Sequence, residues 1–275
     1  MSTAETTERS NVHETARRSA ALRAAHYLHA DEPKIFSDTL AADLSGSPAD
    51  QIADMIRSVP KASAASCILR SRFTEDRLAA ARSRLDQYVL LGSGLDSFAL
   101  RHGDALADLK VFEVDDPPML EWKRQRIAEL GLKEPSQLRY VPCDFEVSTL
   151  PEALAKSDFD PDSPCFISWL GVTQYITVEA TTETLAWAGA RPKGSEIVFT
   201  FLEPNEHAAN TAQSLLTKVG QLYHYHPDEI VALLEKSGFT QIEFMSEERA
   251  NELYFNDRKD GLVAPQAQRL LSAIV

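Results

Sequence analysis

The chain has 275 residues, 44% of them hydrophobic and 25% charged, with a formal net charge of −13 and three cysteines. That length suits one large α/β domain or two small ones, and the acidic balance argues against nucleic acid as main partner, since phosphate recognition needs clustered Lys and Arg. Cys67, Cys143 and Cys165 are far apart and odd in number, which argues against a disulfide framework and for a reducing cytoplasm.

The polar N-terminus carries no hydrophobic signal core. The longest uncharged run, 163–178, is shorter than the ~18 residues of a membrane span, so no membrane partner is expected. Residues 1–12 are expected to be loose. The spacing of Ala21, Ala24, Ala25 and Leu28 predicts a helix over 16–28, and Pro33 interrupts the chain after it. Ile52, Met55, Ile56 and Val59 predict a second helix, stopped by Pro60. A longer helix over 62–85 has Ala65, Ile68, Leu69, Phe73 and Leu78 on its apolar stripe. Residues 1–86 therefore read as a helical cap, packed over the ligand side of a sheet built from 87–275 as one compact unit.

From Tyr88 onward strands alternate with helices. Strands are predicted at 88–91, 110–115, 138–141, 164–170, 196–202, 241–246 and 270–275. Helices are predicted at 95–100, at 119–130 after Pro117 and Pro118, and at 177–190, 208–219 and 227–236, with Gly238 as a C-terminal cap. This alternation predicts an α/β fold, a mostly parallel doubly wound sheet covered on both faces. Ligands on such sheets sit beyond the carboxyl ends of the strands, at the point where strand order reverses.

Three features fall at that rim. Gly92-Ser93-Gly94 breaks the first strand and opens a helix, which lets backbone N–H groups come close to a ligand. Glu113 and Asp115 end the second strand on one face, and an acid there is placed to accept from ribose hydroxyls. Asp144 and Phe145 follow the third, suited to an exocyclic adenine amine and to the ring beside it. A dinucleotide fingerprint wants a third glycine where Ser97 stands, and Asp96 adds negative charge beside the turn. An acidic turn repels a pyrophosphate and favours a ligand with a cationic amine. S-adenosylmethionine has adenosine, that amine, a cationic sulfonium and no phosphate.

The pieces YVLLGSGLDSFALR, VFEVDDPPMLEWKRQRI, YVPCDFE, SWLGVTQYIT and YFNDRKDGL, with ALRAAHYL and LRSRFTEDRL before them, resemble the class I S-adenosylmethionine-dependent methyltransferases of the leucine carboxyl methyltransferase superfamily. The bacterial branch of natural-product and polyketide O-methyltransferases is the most similar, and the resemblance runs from about Thr15 to the C-terminus. It implies a Rossmann-like sheet of seven strands, the last antiparallel, with a helical N-terminal cap. It implies S-adenosyl-L-methionine as cofactor and S-adenosyl-L-homocysteine as product. Carried over residue by residue, it assigns Arg72 to the cofactor's carboxylate, Gly92 and Gly94 to the turn, Asp115 to the ribose, and Asp144 with Phe145 to the adenine. Lys34 is a loose match to a family lysine. Many relatives carry Glu-Gly-Val after the fourth strand, where this chain has Leu170-Gly171-Val172, so a backbone carbonyl at Leu170 is expected to stand in for the acid.

Structural alternatives accompany these roles. Arg72 can be a solvated helix residue, Asp115 a cap for the helix after Pro117, and Asp144 a turn aspartate. His224 and His226 read as surface residues ahead of a helix, since no third metal ligand is evident. Trp169, Tyr175 and Trp187 read as core or pocket wall, and Cys143 and Cys165 as buried and inert. The resulting expectation is an enzyme that methylates a carboxylate or acidic hydroxyl of a small molecule, with no catalytic residue named. The alternatives are a non-catalytic S-adenosylmethionine-binding protein or, disfavoured by Ser97, a Rossmann oxidoreductase.

Overall fold

The computed structural model describes residues 3–144, 147–204, 222–266 and 268–275, with side chains from residue 14 onward. The expected helix over 208–219 lies outside the described residues. The strands are β1 Gln87–Leu91, β2 Lys110–Asp115, β3 Leu138–Pro142, β4 Cys165–Trp169, β5 Glu196–Leu202, β6 Gln241–Phe244 and β7 Gln268–Ile274. The helices are α1 Thr3–His29, α2 Ala41–Ser45, α3 Ala49–Ser58, α4 Lys61–Ala81, α5 Phe98–His102, α6 Pro117–Glu129, α7 Leu150–Leu154, α8 Val178–Gly189, α9 Pro227–Ser237 and α10 Glu247–Ala250.

All seven strands form one sheet in the order β3-β2-β1-β4-β5-β7-β6. β1 to β5 pair in parallel, and β7 runs antiparallel between β5 and β6, as expected. The chain winds from β1 outward to β3, then returns to place β4 on the other side of β1. The crevice between β1 and β4 is thus the switch point where such sheets take ligands.

Alternation along the strands divides the apolar residues between two cores. Tyr88, Leu90, Val111, Phe166 and Val198 face Ile68, Leu69, Phe73 and Leu78 of α4 and Phe98 of α5. Val89, Leu91, Phe112, Ile167, Trp169 and Phe199 face Leu185 and Ala188 of α8 and Ile230 and Leu234 of α9. Trp169 and Trp187 are therefore core residues, and all three cysteines are buried and free. The helix α4 belongs to the N-terminal segment yet forms one layer of the sheet's cover. By contrast α1 sits over the rim, where Ala20 packs on Leu95 and Met119.

One expectation changes, and two short helices appear that the sequence did not predict. The first helix begins at Thr3, although residues 1–12 read as loose. The run from 3 to 15 contains no Gly or Pro and is rich in residues that tolerate a helix, but it has no apolar stripe to reveal one. The five-residue helices α2 and α7 are too short for periodicity to show.

His26 of α1 ties the cap to the loop that follows it. Its Nε2 accepts from the Ile35 N–H at 3.0 Å and the Phe36 N–H at 3.4 Å, so the ring must be neutral. Burial, with Arg258 and Lys34 nearby, holds its pKa down to about 4. A folded-state value below the unfolded one stabilises the fold above the unfolded pKa, and that contribution disappears as pH falls from about 6.5 toward 4. The stability difference between the native chain and His26→Gln, from urea titrations, is expected to be largest at pH 7 and to shrink steadily down to pH 4.5. A difference independent of pH would show that His26 is not held neutral.

Candidate functional site

The turn after β1 is closed against β2 by its own backbone. The N–H groups of Gly92 and Ser93 both donate to the Val114 carbonyl, at 2.9 and 3.2 Å. Gly92 and Gly94 have φ of +66° and +47°, the left-handed region where a Cβ is strained. Space demands glycine as well. A Cβ on Gly92 would lie 2.4 Å from Val172 Cγ2, and one on Gly94 would lie 3.3 Å from Ala16 Cβ of α1. The close approach that the sequence assigns to a ligand is used here by the chain's own loop after β4 and by its cap.

Asp115 lies directly beneath this turn. Its Oδ2 accepts from the Gly94 N–H at 2.6 Å and its Oδ1 from the Asp116 N–H at 2.8 Å. Burial raises its pKa above the ordinary carboxylate value, against the pull of those two N–H groups. The N-cap of α6 is Asp116, so Asp115 is a brace for the glycine turn and not the helix cap. The Cys143 N–H donates to the Asp115 carbonyl at 2.9 Å, which sets Asp144 beside the end of β2. The Asp144 carbonyl then accepts from Val147 and Ser148, opening a turn. Phe145 lies outside the described residues.

Glu113 shares the face of Asp115 but has a different task. Its Oε2 is 2.6 Å from Nζ of Lys123, a pair with essentially no exposure, and the same Nζ donates to the Asp96 carbonyl at 2.6 Å. Burial, reinforced by Asp96 and Asp115, pushes the Glu113 carboxyl up to about 7 against the attraction of Lys123. The carboxylate of Asp96 folds back, accepting from the Phe98 N–H at 2.7 Å and so starting α5.

Arg70 and Arg72 of α4 point to different places, as residues about 200° apart around a helix must. Arg72 is committed to Asp76 at 2.8 Å, to the Ile35 carbonyl at 3.3 Å and to the face of Tyr254. Arg70 reaches the loop after β4, where a Cβ on Gly171 would lie 2.4 Å from its Nη1. Its partners are neutral: Gln268 Oε1 and Ser19 Oγ, each at 3.4 Å, and no ion pair forms among the described residues. Leu170, next to Gly171, packs its side chain toward the core that contains α4. Lys34 stays local, on the Ala30 carbonyl and near Glu32. His226 is the N-cap of α9, and its N–H donates to Glu229 at 2.8 Å. Ser93 Oγ, at the centre of the turn, is buried and has no hydrogen-bond partner among the described residues.

The structure thus brings together Gly92, Gly94, Asp115 and Asp144, with Leu170 and Arg70 across the crevice. It turns Arg72 away. Arg70 escaped the sequence reading because two arginines in one RSR triplet cannot be told apart without knowing what each helix face meets. Lys123 was detectable: it lies four residues from both Met119 and Ile127 on the apolar stripe of α6, and a charge there implies a buried partner. Among the described residues, no group of three His, Cys, Asp or Glu is placed to hold a metal, and no helix is long and apolar enough to cross a membrane.

A family model described as leucine carboxyl methyltransferase matches residues 16–189, which include the turn, Arg70, Asp115, Asp144 and Leu170. The chain belongs to this family. It is 32% identical over 200 residues to the Bacillus subtilis (strain 168) protein named "Putative S-adenosyl-L-methionine-dependent methyltransferase YktD", an overlap of 68% of this chain and 65% of that protein. It is 39% identical over 110 residues to a Mycobacterium tuberculosis (strain ATCC 25618 / H37Rv) protein, "Putative S-adenosyl-L-methionine-dependent methyltransferase Rv3767c", covering 39% of this chain and 34% of the other. The aligned stretches therefore span less than two thirds of these relatives. The fold is shared with a crystal structure titled a putative methyltransferase from Thermobifida fusca YX, at TM-score 0.56 and 17% identity over 93% of each chain. A DUF574 family protein from Streptomyces avermitilis MA-4680 gives TM-score 0.55 and 13% identity over 93% of this chain and 96% of that one.

In this family member the buried Glu113–Lys123 pair supports the turn through the Asp96 carbonyl. Removing one partner of such a pair leaves a buried charge unmatched, a loss of about 3–5 kcal/mol. Lys123→Met is expected to lower unfolding free energy by that order, and Lys123→Met combined with Glu113→Leu to recover most of it, as read by denaturant titration. No recovery in the double variant would mean that Lys123 acts mainly through Asp96.

Proposed function

We propose that this chain binds S-adenosyl-L-methionine at the rim between β1 and β4 and transfers its methyl group to an oxygen of a small molecule, a carboxylate or an acidic hydroxyl. Family membership supports the cofactor, and the observation that carries its placement is Asp115, a buried carboxylate at the end of β2 that also holds the Gly94 N–H. The residues at the rim fit the group. Asp115 has lone pairs left for ribose hydroxyls after its two N–H bonds. Arg70 is a cation without an ion-pair partner among the described residues, placed for the amino-acid carboxylate. The Ser93 hydroxyl, without a partner among the described residues, supplies a further polar contact, and Asp144 an acceptor for an adenine amine.

When bound, the cofactor supplies a methyl group on an already activated sulfonium. The chain's own residues then have to bind, align and exclude water, and alignment alone is worth up to about 7–11 kcal/mol. Arg70 takes over the carboxylate role first assigned to Arg72, because Arg72 is already paired with Asp76. Leu170 supplies an apolar wall where the family resemblance implies an acid. That substitution also supports a second reading, a family member that binds the cofactor without turnover, to be recognised by S-adenosylmethionine binding with no methylated product from a broad acceptor panel.

S-adenosylmethionine and S-adenosylhomocysteine are both expected to raise the melting temperature, while NAD and ATP leave it unchanged. A ligand at 100 times its Kd adds about 2.7 kcal/mol, a readily visible shift. Arg70→Ala is expected to weaken S-adenosylmethionine roughly ten- to a hundredfold and to leave adenosine nearly unaffected, whereas Arg72→Ala changes neither affinity. Equal losses for both ligands in Arg70→Ala would remove Arg70 from the carboxylate site.

An acceptor that is ionised at neutral pH needs no general base. Turnover at saturating substrate is therefore expected to stay nearly flat between about pH 6 and 8. Replacing both His224 and His226 by Gln is expected to keep it within about tenfold, below the usual 10²–10⁴ contribution of a base. A loss of a hundredfold or more with cofactor affinity intact would identify a histidine base and an alcohol-like acceptor.

A further inference from the structure

We propose that Asp38, a buried carboxylate in the loop between α1 and α2, is a positioning residue for the cofactor turn, so that seating of the N-terminal cap sets cofactor affinity. The inference rests on the cofactor reading given above, and it concerns a residue that touches neither Gly92, Gly94 nor Asp115.

Asp38 is 1% exposed. Its Oδ2 accepts from Nε of Arg23 at 2.8 Å, and its Oδ1 accepts from the Ser97 hydroxyl at 2.7 Å and from the Leu40 N–H at 3.3 Å. Arg23, on α1, uses its Nη2 to reach the Leu95 carbonyl at 2.7 Å. Ser97 Oγ in turn accepts from Nε of Arg101 at 2.8 Å, and Arg101 pairs with Glu75 of α4 while lying over the ring of Phe36. Two guanidinium groups and two carboxylates thus form a neutral, largely buried set. Burial would raise the Asp38 pKa, but Arg23 and Arg101 hold it below the ordinary carboxylate value.

The turn's anchors come from two sources. Val114, Asp115 and Lys123 hold Gly92, Ser93, Gly94 and Asp96 from the sheet and α6. The Leu95 carbonyl and the Ser97 hydroxyl are held from the cap, by Arg23 and Asp38, with Arg101 of α5 as the second partner of that hydroxyl. These bonds alternate along the turn with those from the sheet, so the cap cannot shift without releasing every second anchor on that side. Ser97 is the position where a dinucleotide fingerprint carries its third glycine. Here a hydroxyl is needed, because it is the atom the cap grips.

A carboxylate retained only for stability would be a poor choice at this depth, since a buried ion pair is often no better than apolar packing. What the pair provides is direction: there is one geometry in which Arg23 reaches both Asp38 and the Leu95 carbonyl while Ser97 reaches Asp38. A displacement of the turn by even about 1 Å is the kind of change that costs up to a hundredfold in function.

The test is calorimetric titration of the full chain with S-adenosylhomocysteine, reading Kd and stoichiometry separately, beside thermal melts. Asp38→Asn is expected to raise Kd by roughly tenfold or more with stoichiometry near one. Ser97→Ala, which leaves both ion pairs in place, is expected to raise it about two- to tenfold, the size of one hydrogen bond. The double variant is expected to be no weaker than Asp38→Asn alone, because both changes break one network. An unchanged Kd with a reduced binding fraction in Asp38→Asn would overturn the proposal, since a merely structural role lowers the amount of folded protein without changing its affinity. If Asp38→Asn does not fold, an unchanged Kd in Ser97→Ala overturns it equally. Failure of the native chain to bind S-adenosylhomocysteine would instead overturn the cofactor reading and this inference with it.

Discussion

A chain that leaves a sheet at its rim carries N–H and carbonyl groups that have lost their ladder partners, and each must be satisfied before it can be buried. The rim turn from Gly92 to Ser97 meets this demand with charged side chains. Asp115 takes the Gly94 N–H, Arg23 and Lys123 donate to the Leu95 and Asp96 carbonyls, and Asp38 holds the Ser97 hydroxyl. The arrangement of cap, sheet and α6 around this turn follows from where those charges must be.

Each charge brought to the turn needs its own counter-charge. Lys123 is matched by Glu113, and Arg23 with Arg101 by Asp38 and Glu75. Such pairs add little net stability over apolar packing but punish misplacement, because a displaced charge is left desolvated and alone. The cap is therefore held in one position over the rim, with the small side chain of Ala16 close to Gly94. The same feature gives the site its electrostatic character. Carboxylates are gathered beneath and beside the turn, and Arg70 stands across the crevice as a cation paired only with neutral groups among the described residues. That separation of signs suits a ligand with cationic and anionic ends, which is the chemistry of S-adenosylmethionine.

The sheet was largely legible. Continuous apolar runs mark strands buried on both faces, and β2 and β5 lie where the runs predict them. β7 begins two residues earlier than its apolar run, at Gln268, because strand pairing with β5 extends past the last core side chain. Turn chemistry placed Gly92, Gly94 and Asp115 together, since a glycine break after one parallel strand and an acid ending the next meet at one rim. The first half of α1 was not legible, because without an apolar stripe periodicity has nothing to register.

Sequence by itself thus determined the fold class, the position of the rim and the acidic character of its turn, all of which depend on neighbours in the chain and on the period of the apolar residues. Only the tertiary structure decided which arginine of α4 faces the crevice, that Glu113 pairs with Lys123 rather than a ligand, and that Asp38 reaches Ser97 across 59 residues. Those outcomes depend on helix rotation and on charges meeting through space. A buried charge chooses the partner that best replaces its lost water, and that partner's distance along the chain does not enter the energy.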